Sequence, residues 1–471
     1  MADIDFRTTS IEDLARSVRT KAVSAHELTE VALAQIERLN PDYNAFVAVD
    51  GERALVEADA VDERISAGQD PGPLAGIPLG VKDLQNAVGY VTTYGSALHA
   101  DDPPATADDP FVARLRAAGC VVVGKTNTPE FGWMGNTTNA IFGPSRNPYD
   151  PSRGPGGSSG GAAAALAAGM VPLATGSDGG GSIRIPSALC GLSGMKPSLG
   201  RVPGGGPHPP GWLGLSTNGP MAMRIADVAR ALDVAVGPDP TDLQALPRPE
   251  ASWLAALDDP HVPVRVAYSP TLGYATVDTE VAAACDRAVS VLESLGAEIT
   301  VLDSVFDADP VDDFLTFTAA ATLRTLRPYL GHPRWEEVHP VLRHFVNLAQ
   351  ETTAEQILQI FDHYHLMNLR LVELFHQSRI LVTPTTSAVA PFAGELEGMV
   401  NGERTANWVQ FTYPFNMTKS PAATVRAGTS SEGLPIGVQL IGPQHGDLVV
   451  LRTAAALEAT LDLDTLAPLP A

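Results

Sequence analysis

Two clusters of glycine-flanked hydroxyls stand close together in the chain, GGSSGG at 156–161 and SDGGGSIR at 177–184. Glycine carries no Cβ, so a ligand can reach the main-chain N–H groups beside it. A hydroxyl next to bare amides suits acyl transfer, which needs a nucleophile and donors for a developing oxyanion. The Ala-rich run between the clusters, Ala162 to Val171, reads as a buried helix rather than a Gly/Ser linker. Two nucleophile systems are open on these residues. Gly157, Ser159 and Gly161 satisfy GxSxG, a nucleophile-elbow pattern that requires a preceding strand and a later histidine. Asn147 to Pro155 are turn formers, however, and no downstream histidine stands in a recognisable setting. The second system uses Ser182, with Asp178-Gly179-Gly180-Gly181-Ser182 supplying consecutive N–H groups.

A serine is a weak nucleophile without a base. Lys82 is the candidate, because it lies in the apolar run LAGIPLGVKDL at 74–84. An unpaired lysine there must find a partner or lose its proton. The competing reading pairs it with Asp83 or lets it snorkel to water. Serving as a base near neutrality means lowering its pKa from ~10.4 to ~7.5, about 4 kcal/mol against the charged form. Spacing alone does not join Lys82 to Ser182.

The elements that must hold these groups read as an α/β pattern. Helical periodicity is clear at 24–39, 54–65, 110–118, 223–236, 279–295 and 448–459. Residues 312–375 are also largely helical. Short apolar runs at 120–123, 264–267, 297–302, 380–383 and 437–441 read as strands, and 74–84 as a buried strand or turn. The strand–helix–strand order across 264–302 predicts a parallel unit. Irregular stretches at 131–149, 201–220 and 393–417 read as loops. They carry Trp133, Met134, Trp212, Trp408 and Phe411, which are expected to line a substrate pocket.

The chain has 471 residues and a formal charge of −23, which argues against nucleic-acid or anionic-membrane surfaces as partners. Its three cysteines, Cys120, Cys190 and Cys285, make neither a disulfide framework nor a zinc spacing, and no metal is expected. The start lacks a signal-peptide pattern and no apolar run reaches membrane-spanning length, so a cytoplasmic placement is expected. GCVVVGKT at 119–126 formally matches a phosphate-binding loop. Its middle residues are strand-like and Pro129 follows closely, so no loop is left to wrap a phosphate.

The stretch Gly156 to Ser187 closely resembles the amidase signature family of Ser-Ser-Lys hydrolases. The likeness extends to GIPLGVKDL at 76–84, GKTNTPEFG at 124–132, FGPSRNPYDPSR at 142–153, GMKPSLGRVP at 194–203 and GLPIGVQLIGP at 433–443. The resemblance implies one domain over 1–471: an α/β/α sandwich with a large mixed central sheet covered by helices. Within it, a helical section at about 1–70 precedes a catalytic core at about 71–236. A variable, helix-rich section at about 237–415 follows, and the chain returns to the core at about 416–471.

By the same resemblance, Lys82 is the base, Ser158 a cis residue relaying the proton, and Ser182 the acyl-accepting nucleophile. The amides of Gly179, Gly180, Gly181 and Ser182 form the oxyanion hole, with Asp178, Arg184 and Ser159 in support. Ser177 and Gly179 depart from the family's usual Thr and non-Gly residues. The activity implied is hydrolysis of small amides, aryl or acyl amides among them, with esters or carbamates also accepted and no cofactor needed. The alternative that the resemblance leaves is a glutamine-hydrolysing component of a tRNA-dependent amidotransferase, which would need partner subunits. The assembly state stays open, a homodimer among the options.

Overall fold

Apolar strands in the first half of the chain build the floor of the site. The computed structural model describes residues 4–207, 209–259, 261–463 and 466–470. β1 (Phe46–Val49), β2 (Pro78–Lys82), β3 (Val121–Thr126), β4 (Leu173–Asp178), β5 (Ser193–Lys196) and β6 (Thr217–Ala222) come first. β7 (Arg265–Tyr268), β8 (Glu298–Val301), β9 (Ile380–Pro384), β12 (Ala422–Thr429) and β13 (Pro435–Ile441) complete one sheet, after a small hairpin of β10 (Gly398–Val400) and β11 (Glu403–Thr405). The order in the 11-stranded sheet is β1-β3-β2-β4-β6-β5-β12-β13-β9-β7-β8. β2 runs parallel to β3 and β4, and β7 parallel to β8 and β9, while the remaining pairs are antiparallel. The sheet is therefore mixed and helices pack against it, as the α/β expectation requires. β2 and β3 are buried at every residue, which is why they read as continuous apolar runs rather than alternating ones.

The Ala-rich run folds as a helix, Gly160–Ala167, with every residue buried. Small residues are required there. A Cβ on Gly161 would stand 2.3 Å from the Asn127 nitrogen and 2.6 Å from the Ala45 carbonyl oxygen. The helix thus sits tight against the strands and fixes where its leading residues, Ser158 and Ser159, emerge. Most predicted helices form within a few residues of their expected ends: Ala25–Tyr43, Gly51–Ser66, Pro110–Ala117, Ile225–Ala235, Thr279–Ser294 and Asp447–Leu461. Ser24 caps the first of these with a reciprocal box to Glu27.

The phosphate-loop motif is a strand: Lys125 and Thr126 end β3, and the Lys125 amine pairs with Asp83 at 3.1 Å. That pairing also removes Asp83 as the partner of Lys82. The loop expected at 201–220 gives way to β6 from Thr217 on. Pro220 is tolerated in β6 because β5 pairs with it only at Met221 and Ala222. The loop expected at 393–417 contains the β10–β11 hairpin and a helical turn at Pro414–Met417. All three cysteines are free and buried. Among the described residues, no helix is long and apolar enough to cross a membrane.

Candidate active site

Lys82 is the last residue of β2, where it pairs with Thr126 of β3, and β4 flanks β2 on the other side. Its backbone N–H donates to Thr175 Oγ1 at 2.9 Å, which ties the end of β2 to β4. The carboxyl ends of parallel strands in open α/β sheets are where such folds place ligands. The side chain has no exposed surface. Its Nζ lies 2.8 Å from Ser158 Oγ, 2.8 Å from Ser159 Oγ, 3.0 Å from Ser177 Oγ and 3.4 Å from the Ser177 carbonyl oxygen. No carboxylate pairs with it among the described residues. Burial lowers its pKa to about 7, against a smaller upward pull from the Asp178 charge. A neutral amine offers two N–H donors and one lone pair. The surrounding hydroxyls can accept from the former and donate to the latter, so the cage suits the unprotonated form.

The Gly157–Ser158 peptide is cis. Ser158 is almost fully buried, and a Cβ on Gly132 would stand 3.2 Å from its Oγ. Ser159, a supporting residue by sequence, contacts Lys82 as closely as Ser158 does, and its N–H donates to the Ser182 carbonyl at 3.2 Å. That bond fixes the strand-end loop carrying Ser182 against the segment carrying Ser158. Ser182 itself is 9 % exposed.

The loop from Asp178 to Arg184 is held from inside. Asp178 ends β4, and its carboxylate accepts the N–H groups of Gly181 at 2.8 Å and Ile183 at 3.2 Å. Arg184 Nε and Nη2 reach the two Asp178 oxygens at 2.9 and 2.8 Å, a two-point pair with neither side chain exposed. The other guanidinium donors go to the Thr412 carbonyl at 2.9 Å, Gln439 Oε1 at 2.6 Å and Asn416 Oδ1 at 2.6 Å. Asn416 Nδ2 returns to Asp178, to its carbonyl at 2.8 Å and Oδ1 at 2.9 Å. Burial would raise the Asp178 pKa, but the charge and hydrogen bonds of Arg184 outweigh it and hold the carboxyl below its ordinary range.

This network corrects one expectation. The Gly181 N–H is committed to Asp178 and is not free for a substrate oxygen. The N–H groups of Gly179, Gly180 and Ser182 have no hydrogen-bond partner among the described residues.

The aromatic residues divide. Trp212 and Phe314 stand against the glycine loop: a Cβ on Gly179 would lie 2.5 Å from the Trp212 ring, and one on Gly180 2.5 Å from the Phe314 ring. The Phe314 ring meets Trp212 edge-on at 6.1 Å and stacks on Tyr413 at 4.9 Å. Phe314 carries no local signal of this role, since it reaches the loop from a distant part of the chain, whereas Tyr413 lies in the expected loop at 393–417 and is almost fully buried. Trp133 packs against Phe345 at 4.6 Å. Met134 is buried, and a Cβ on Gly157 would stand 2.7 Å from its carbonyl oxygen. Trp408 and Phe411 are not pocket residues. Trp408 is buried against Ile185 and Leu189 with its Nε1 donating to the Leu396 carbonyl at 2.9 Å, and Phe411 packs in the core with Phe415 and Leu381. Both lie in 393–417, where the sequence shows no periodicity and so gives no sign of their burial.

A family model described as amidase matches residues 27–451. The chain belongs to the amidase signature family. It is an amide-hydrolysing enzyme. It is 37% identical to an acylamidase of Rhodococcus erythropolis, over 98% of this chain and 97% of that one. It is 34% identical to a glutamyl-tRNA(Gln) amidotransferase component of Chloroflexus aggregans, over 99% of each chain. Among solved structures, a bacterial aryl acylamidase of the amidase signature family superposes with a TM-score of 0.90 at 29% identity, covering 96% of each chain.

Proposed function

We propose that this amidase hydrolyses amides bearing an aryl or other apolar group through an acyl-enzyme on Ser182. The observation that carries the reading is the buried Lys82 amine, pushed to about 7, with serine hydroxyls and no carboxylate around it. Neutral Lys82 accepts the Ser158 proton while Ser158 accepts that of Ser182. The freed Ser182 oxygen bonds to the carbonyl carbon. The N–H groups of Gly179, Gly180 and Ser182 receive the oxyanion. The proton returns through Ser158 to the leaving nitrogen as the C–N bond breaks. Water, deprotonated along the same route, then cleaves the ester and restores Ser182. The same steps fit an ester or carbamate whose carbonyl reaches the loop.

The aryl preference rests on the Trp212 and Phe314 rings beside the glycines. An aromatic face there offers offset or edge contacts to a substrate ring. The chain purified alone should hydrolyse anilides faster than glutamine, and esters or carbamates of the same acyl group should also turn over. Turnover restricted to glutamine, and only with partner proteins added, would instead favour the amidotransferase reading that the Chloroflexus relative supports. For Phe314→Ala, KM for an anilide should rise about tenfold with kcat within about threefold, as for lost uniform binding. Steady-state kinetics on an anilide and on acetamide would check this. An equal loss on both substrates would remove Phe314 from recognition.

A further inference from the structure

The peptide joining Gly180 to Gly181 is gripped at both of its polar ends. Its N–H donates to Asp178 Oδ1 at 2.8 Å, and its C=O accepts from Thr412 Oγ1 at 2.6 Å. Thr412 is fully buried and is the one partner of the Gly180 carbonyl among the described residues. The Val409 carbonyl lies 2.9 Å from the same hydroxyl but already accepts the Thr412 N–H at 3.2 Å, so the single hydroxyl proton goes to the shorter contact, the Gly180 carbonyl. A glycine on each side leaves this peptide free of side-chain restraint. Gly181 adopts φ +127°, a conformation that L side chains rarely take, and a Cβ there would stand 2.3 Å from Thr412 Oγ1.

We propose that Thr412 is a positioning residue for the oxyanion loop. Its hydroxyl holds the Gly180 carbonyl away from the substrate. The flanking N–H groups, of Gly180 on one side and Ser182 on the other, are thereby turned toward the acyl oxygen. Rotation of the released peptide would bring the Gly180 oxygen round and displace both donors from the positions the oxyanion needs. Asp178 grips only the N–H end, and Thr412 supplies the second point that fixes the plane. The Arg184 Nη1 bond to the Thr412 carbonyl, at 2.9 Å, anchors Thr412 to the same network as Asp178. Residues on two distant segments thus clamp one peptide. This inference rests on the reading of Ser182 as nucleophile and of the loop amides as oxyanion donors.

The test compares Thr412→Val, which keeps the shape and removes the donor, with Thr412→Ser, which keeps the donor. Thr412→Val should lower kcat on an anilide about 10- to 100-fold with KM within about threefold, less than the loss of a direct oxyanion donor. Its affinity for an aryl trifluoromethyl ketone, which forms a tetrahedral adduct with a serine, should fall in parallel with kcat/KM. Thr412→Ser should restore kcat to within about threefold of the parent. A purely structural role would move KM and adduct affinity together, or affect both variants alike, and either result would overturn the proposal. So would Thr412→Val with unchanged kcat. Should Thr412→Val not fold, an unimpaired Thr412→Ala would overturn the proposal, and a kcat loss rescued by Thr412→Ser would support it. Labelling the parent enzyme with phenylmethanesulfonyl fluoride and locating the adduct by mass spectrometry separates the two readings. A label on Ser182 upholds the nucleophile and leaves the kinetics to judge Thr412. A label on another serine overturns both.

Discussion

Ser182→Ala is expected to lower kcat on any amide by at least about 10⁴-fold while the protein stays folded. The size follows from the kind of step removed. Without the hydroxyl no acyl-enzyme forms, and what remains is binding plus oxyanion stabilisation, worth roughly 10³–10⁴ over water in enzymes that use a comparable catalytic unit. The fold should tolerate the change because the structural contact of Ser182 is made by its carbonyl, which accepts the Ser159 N–H whatever the side chain. The Lys82 cage is also untouched, since its partners are Ser158, Ser159 and Ser177. Thermal melting should therefore shift by no more than a few degrees, and burst-phase release of the amine should vanish. Retention of more than about one-hundredth of the parent kcat in a clean preparation would show that another group attacks the carbonyl.

Much of this site was legible because its parts are local. Asp178 and Arg184 meet across a tight loop that the sequence packs with glycines, and that loop could be picked out as a set of amides around a hydroxyl. Lys82 stood out because a lysine in an apolar run must resolve its charge. Joining Lys82 to the serines was beyond spacing. It depends on the parallel pairing of β2 with β4 and on the Ala-rich helix that delivers Ser158 and Ser159.

The strands followed the same division. β3 and β9 announced themselves as apolar runs, whereas β4 and β6 end in TGSD and begin with TNGP, sequences that read as turns. Tertiary pairing overrode propensity there, since both lie in the middle of the sheet. The groups missed altogether, Thr412, Asn416, Gln439 and Phe314, arrive from segments far along the chain and act on the loop through contacts that no local pattern announces. Trp408 and Phe411 failed in the opposite direction. An aromatic in an aperiodic stretch can face a ligand or fill a core, and only burial distinguishes the two.

The second large effect concerns the base. Lys82→Met should lower kcat/KM by at least about 10³-fold, within the span that loss of one member of a coupled catalytic unit produces. The parent should show an acid limb with a midpoint near its lowered pKa of about 7. The protonated amine cannot accept the Ser158 proton, so kcat/KM should fall tenfold per pH unit below the midpoint and level off above it. An ordinary lysine would leave activity still climbing past pH ~10. The limb alone does not assign the group. Lys196 is also pushed down to about 7, by burial and then by the Arg184 charge. The lone hydrogen bond of its amine among the described residues runs to the Pro197 carbonyl, away from the serines, so Lys196→Met should keep the limb and Lys82→Met should lose it.

Stability supplies an independent reading of the same proton. The unfolded chain holds the Lys82 proton up to about 10.5 and the folded chain releases it by about 7, so the unfolded state binds more protons between those values. Folding stability must then rise with pH across that window, by up to about 1.4 kcal/mol per unit from this one group. Subtracting the Lys82→Met curve from the parent's, by denaturant titration from pH 7 to 9, isolates the contribution from that of Lys196. A rising difference together with a lost acid limb identifies Lys82 as a buried amine that works uncharged. A flat difference would mean that the amine keeps its proton in the folded enzyme, and the serine relay would then have no base.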